Sequence, residues 1–192
     1  MSKSASRSFA PGVSLGLSGV ATPLPPVTLV LGGARSGKSR YAEALVDRHT
    51  GRRVYLATAE ILDDEMAARV KPHRARRDSD WKTVEEPLEL AQAVKAETEQ
   101  GAAVLVDCLT LWLGNLMGKE RDVEAEIAGL IAAIGQFGGP VVFVSNEVGL
   151  GIVPDNTMAR RFRDFAGILH QRLAEKADRV VFVAAGLPLN LK

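Results

Sequence analysis

Continuous hydrophobic runs alternate along this chain with stretches in which hydrophobic positions recur every three or four residues. Val27–Leu31, Arg53–Ala57, Ala102–Val106, Val141–Val144 and Arg179–Ala184 have the length and β-branched content of buried strands. Trp81–Glu86 reads as a further short strand. Helical spacing follows Gly37, spans Leu88–Glu97 behind Pro87, and runs almost wholly apolar from Leu109 to Met117. Val123, Ile127, Leu130, Ile131, Ile134 and Phe137 mark one amphipathic helix. Met158, Phe162, Phe165, Leu169 and Leu173 mark a longer one, with Asp155 or Asn156 as its N-cap. Asp63–Arg77 runs from acidic to basic, which suits a helix dipole, although Pro72 should break or end that helix. Strands of this kind between helices predict an α/β domain, its mostly parallel sheet covered by helices on both faces.

In such sheets ligands sit beyond the carboxyl ends of the strands. Gly32–Ser39, Thr58, Asp107 and Asn146–Glu147 therefore converge on one crevice. The first of these stretches, GGARSGKS, satisfies G-x-x-x-x-G-K-[ST] through Gly32, Gly37, Lys38 and Ser39. Glycines let backbone N–H groups curl around a phosphate, and the following helix aims its positive end at the same anion. Lys38 can reach β- and γ-phosphates, and Ser39 can hold Mg²⁺. A strand before the motif and a helix after it are the context this mechanism requires, so a P-loop NTPase fold is expected.

Residues 1–26 are rich in Ser, Gly, Pro and Ala, lack acidic residues and show no sustained period. They read as a disordered tail, and Pro11 with scattered glycines interrupts any signal-peptide core. One domain over 27–192 remains. The net charge of +1 supplies no global field for nucleic acid. No apolar run reaches membrane-spanning length, and the single cysteine, Cys108, excludes an internal disulfide framework. A cytoplasmic protein is expected.

Asp107 ends an apolar strand, where a Walker-B carboxylate holds Mg²⁺, and an N-cap role for the next helix can coexist with that. His73 lies among Arg69, Lys71, Arg74, Arg76 and Arg77. That run is either a solvated basic face or a nucleophile amid cations that stabilise polyphosphate. Asn146 and Glu147 could contact a metal-bound water or an acceptor, or serve the turn alone. Glu85 and Glu86 stand between surface carboxylates and nucleotide contacts. His49 and His170 read as structural or surface residues, and Cys108 as a small buried one.

GGARSGKS, ILDDEMAARV leading to His73, DCLTLWLGNL from Asp107, and SNEVGLGIVPDN followed by ARRFRDFAG together carry a family resemblance. The chain resembles the bifunctional adenosylcobinamide kinase/adenosylcobinamide-phosphate guanylyltransferases of cobalamin biosynthesis, over residues 27–192. The resemblance implies phosphorylation of adenosylcobinamide by ATP or GTP. It then implies transfer of GMP from GTP, through a histidine–GMP intermediate, to adenosylcobinamide phosphate. It makes His73 the guanylylated residue, with Lys38 also catalytic. It places nucleotide contacts on Gly32, Gly33, Ala34, Arg35, Ser36, Gly37, Lys38, Ser39, Ala57, Thr58, Ala59, Arg74, Ala75, Arg76, Arg77, Glu85 and Asp107. A homotrimer and a corrinoid substrate are implied as well. The rival readings are a P-loop small-molecule kinase without guanylyl transfer and a regulatory GTP switch; the chain lacks the N-K-x-D guanine-reading motif of such switches.

Overall fold

β-Branched and leucine-rich runs pair side by side because a helix-covered parallel sheet satisfies their backbone groups while hiding both faces. The computed structural model describes residues 23–60 and 80–192. The strands are β1 (Val27–Gly32), β2 (Arg53–Ala57), β3 (Trp81–Glu85), β4 (Ala103–Asp107), β5 (Val141–Asn146), β6 (Arg179–Ala184) and β7 (Leu187–Asn190). They form one seven-stranded sheet in the order β3-β2-β4-β5-β1-β6-β7. Every pairing is parallel except β6 with β7.

The described helices are α1 (Lys38–Val46), α2 (Leu90–Thr98), α3 (Leu109–Gly118), α4 (Val123–Ala133) and α5 (Thr157–Lys176). Alternation along β1 divides the core. Leu29 and Leu31 face a cluster closed by α2, α3, α4 and α5, through residues such as Leu90, Trp112, Ile127 and Leu169. Val30 faces a smaller cluster closed by Tyr41, Ala42, Leu45 and Val46 of α1. Both faces are thus covered, as the strand pattern predicted.

Local chemistry sets the helix starts. Asn156 caps α5 by accepting from Ala159 N at 2.7 Å, and Asp122 caps α4 by accepting from Ala125 N at 3.1 Å. Glu86 Oε1 accepts from Leu88 N and Glu89 N, each at 2.9 Å, ahead of α2.

The secondary-structure elements depart from the sequence expectations in three places. Helix α4 ends at Ala133, and a short 3₁₀ turn over Ile134–Gln136 carries Ile134, with Phe137 partly buried just beyond. Met158 is 64% exposed, because the burying stripe of α5 begins a turn later at Phe162. Finally, β7 adds an antiparallel edge strand. Ala185 (φ 51°) and Gly186 (φ 81°) form a two-residue turn with positive φ at both positions, the geometry that matches strand twist in a hairpin.

Candidate functional site

The phosphate loop is built where β1 gives way to α1. A Cβ on Gly32 would sit 2.5 Å from Val183 O and 2.6 Å from Ser36 Oγ, so no side chain fits there. Gly37 has φ 95° and occupies the N-cap of α1 without any side-chain cap. The first N–H groups of α1 are therefore aimed at the loop, where an anion completes them. Lys38 is 8% exposed, and its Nζ donates to Gly33 O at 3.3 Å. Gly186 N donates to Ser36 O at 2.8 Å, so the β6–β7 hairpin braces the loop. A cleft of about 570 Å³ runs along residues 35–40 and is walled by Ala185 and Gly186. The hairpin's part in the site is new to the structure; Gly186 is the sequence signal from which a turn there could have been found.

The strand register assembles the rest. Gly32 pairs with Asn146 across β1 and β5, while Ala57 pairs with both Asp107 and Glu85. The carboxyl ends of β1, β2, β3, β4 and β5 thus carry the phosphate loop, Ala57, Glu85, Asp107 and Asn146 along one edge. Ser39 also lines the phosphate cleft. Glu85 is exposed there.

Asp107 accepts from Tyr55 Oη at 3.2 Å. The N-cap of α3 is Cys108, with no side-chain cap, so Asp107 does not cap that helix. Burial pushes the Cys108 thiol up, and the Asp107 carboxylate adds to this, while a hydrogen bond from Thr110 and the Lys38 ammonium pull it down. The oxygen donors of Ser39 and Asp107 are hard ligands, the kind Mg²⁺ takes one or two at a time alongside phosphates and water.

Thr58 is fully buried. Its hydroxyl accepts from Cys108 N at 2.9 Å and donates to Cys108 O at 2.8 Å. Its side chain therefore locks β2 to the end of β4 instead of facing the cleft. Ala59, just beyond it, is half-buried. His73, Arg74, Ala75, Arg76 and Arg77 lie outside the described residues, as does the helix expected over 63–77.

A second cleft, of about 740 Å³, adjoins the first, and Lys38 and Arg35 line both. Its other walls include Thr110, Asn146, Glu147 and Phe162. Asn146 Nδ2 donates to Thr110 Oγ1 at 2.8 Å. Behind Glu147 stands His170, which is 7% exposed, with Nε2 2.7 Å from Ser145 Oγ and Nδ1 3.9 Å from Glu147 Oε2. Burial lowers its pKa, and the Glu147 carboxylate opposes that shift. A helical stripe gives no sign of such a contact; it depends on α5 crossing the end of β5. His49 follows the far end of α1, away from the phosphate loop.

Fold and site define a P-loop nucleotide-binding protein of the α/β class. The fold is similar to that of a prototypical ATPase from the type III secretion system of pathogenic bacteria. That likeness has TM-score 0.55 and 11% identity, and covers 87% of this chain and 57% of that one. The flagellar accessory protein FlaH of Methanocaldococcus jannaschii is also similar, at TM-score 0.52 and 13% identity, over 88% of this chain and 80% of that one. Residues 28–191 match the cobinamide kinase / cobinamide phosphate guanyltransferase family, and the chain belongs to it. It is 49% identical to the bifunctional adenosylcobalamin biosynthesis protein CobP of Pseudomonas aeruginosa, over 85% of this chain and 96% of that protein. It is 43% identical to the corresponding CobU of Escherichia coli, over 85% of this chain and 98% of that protein.

Proposed function

We propose that this protein phosphorylates the aminopropanol hydroxyl of adenosylcobinamide with ATP or GTP, and then transfers GMP from GTP to adenosylcobinamide phosphate, giving adenosylcobinamide-GDP. The observation that carries this reading is the glycine-built phosphate loop, with Lys38 at its centre and Asp107 along the same strand edge, in a chain of this family. Both reactions place charge on phosphate oxygens, and both need the same cradle.

In the kinase step the γ-phosphoryl group moves to the hydroxyl oxygen and a nucleoside diphosphate leaves. In the transferase step His73 attacks the α-phosphorus of GTP, pyrophosphate leaves, and the GMP passes on to the phosphate of the acceptor. Splitting the transfer into two displacements lets one phosphate site serve both halves. Lys38 and the N-terminal N–H groups of α1 hold the departing phosphates. The remaining nucleotide contacts fall on Gly32–Ser39, Ala57–Ala59, Arg74–Arg77, Glu85 and Asp107. Ser39 and Asp107 would hold Mg²⁺, which neutralises phosphate charge when bound. We further propose a single domain from about residue 27, a cytoplasmic location and a homotrimer.

Incubation with Mg²⁺, GTP and adenosylcobinamide, followed by mass analysis of the corrinoid, tests the reading. The expected product is adenosylcobinamide-GDP. Accumulation of adenosylcobinamide phosphate alone, with no GMP bound to protein, would leave a kinase without guanylyl transfer.

A further inference from the structure

The phosphate cleft accounts for a nucleotide but not for the alcohol that must attack it. The second cleft shares Lys38 and Arg35 with the first, so a γ-phosphate held at Lys38 stands at the common wall. A hydroxyl entering from the second cleft meets that phosphorus from outside the nucleotide site. Polar groups line this cleft together with Phe162 and Val148, a mixture that suits an amphiphilic alcohol arm.

Glu147 is the one carboxylate among the described residues lining this cleft. Several contacts hold it. Its backbone N donates to Gly32 O at 3.0 Å, tying it to the strand that carries the phosphate loop. Its Oε1 accepts from Gly149 N, and its Oε2 faces the buried His170 ring. The other polar groups of the cleft are poor bases. Lys38 and Arg35 are cations, and Thr110 is engaged by Asn146. His170 already contacts Ser145 and lies behind Glu147.

We propose that this cleft is the acceptor subsite and that Glu147 is the general base of the kinase step. The acceptor oxygen forms its bond to the γ-phosphorus as the bond to the β,γ-bridging oxygen breaks. The hydroxyl proton passes to a Glu147 carboxylate oxygen and then to solvent, while ADP carries away the bridging oxygen. This inference rests on the kinase activity proposed above. A positioned base contributes about 10²–10⁴-fold to such a step.

The test is steady-state phosphorylation of adenosylcobinamide by Mg²⁺-ATP, followed as ADP release. Glu147→Gln keeps the shape and the hydrogen bond from Gly149 but cannot take a proton. Its kcat should fall by about 10²-fold or more, with the KM for ATP within about threefold of wild type. Glu147→Asp retains a carboxylate one methylene shorter and should recover part of the loss. A Glu147→Gln kcat within about threefold of wild type overturns the assignment. So does a Glu147→Asp variant no faster than Glu147→Gln. Nucleotide-induced thermal shifts of each variant establish that it is folded and loaded. A wild-type protein that never phosphorylates adenosylcobinamide instead defeats the proposed activity beneath the inference.

Discussion

Lys38 is where a single side chain does most to join the site together. Its ammonium is nearly buried, lies along the loop at Gly33, and borders both clefts. Lys38→Ala should lower both kinase and transferase turnover by about 10²-fold or more, because both transition states gather charge on phosphates it reaches. Near wild-type turnover in either assay would remove Lys38 from that role. His170 offers a different residue-scale test. Burial lowers its pKa below the usual 6.5, so the folded protein resists a proton that the unfolded chain accepts. The stability this contributes is full above pH 6.5 and is lost as pH falls from there toward the lowered folded value. Thermal midpoints of wild type should therefore fall more steeply than those of His170→Gln as the buffer is taken below pH 6.5. Parallel slopes would show that the buried ring titrates without linkage to folding. The sequence made Lys38 legible because its neighbours impose a backbone shape. It left His170 illegible because that environment comes from Ser145 and Glu147, far off in sequence.

At the scale of elements, the parallel strands were readable because burial on both faces leaves unbroken apolar runs. The edge strand β7 was not, since its four residues include Pro188 and three of them are exposed. Likewise the apolar spacing of α5 ran one turn past the sheet at Met158. The choice between Asp155 and Asn156 as its cap also needed coordinates. Asn156→Ala should cost about 1 kcal/mol by removing the bond to Ala159 N. For a domain of this size that lowers the thermal midpoint by about 2–4 °C. Asp155→Ala should leave the midpoint unchanged, because Arg160 bonds only the backbone oxygen of Asp155. Equal losses in the two variants would assign the cap to both.

At the scale of the whole molecule, the parallel order sends the phosphate loop, Ala57, Glu85 and Asp107 to one edge of the sheet. The chain that carries His73 is joined to that same edge, because it continues from Glu60 just after β2. Neither of the other histidines suits a covalent intermediate. His170 is buried against Ser145, and His49 follows the far end of α1. Under the proposed two-step transfer, a guanylylated His73 is expected as an acid-labile, hydroxylamine-resistant phosphoramidate. It would be read as the added mass of GMP on the peptide containing His73 after incubation with GTP and Mg²⁺. His73→Ala should abolish both that adduct and guanylyl transfer. Kinase turnover should partly survive, since γ-transfer to a hydroxyl needs positioning and charge stabilisation more than a protein nucleophile. His49→Ala should retain the adduct. The cations Arg74, Arg76 and Arg77 should act on nucleotide affinity, and their contribution should shrink as salt screens them. An adduct that persists in His73→Ala, or maps to another residue, would end the histidine scheme. It would leave the phosphate loop and its kinase chemistry standing, because Lys38 and the α1 terminus act on either reaction without His73.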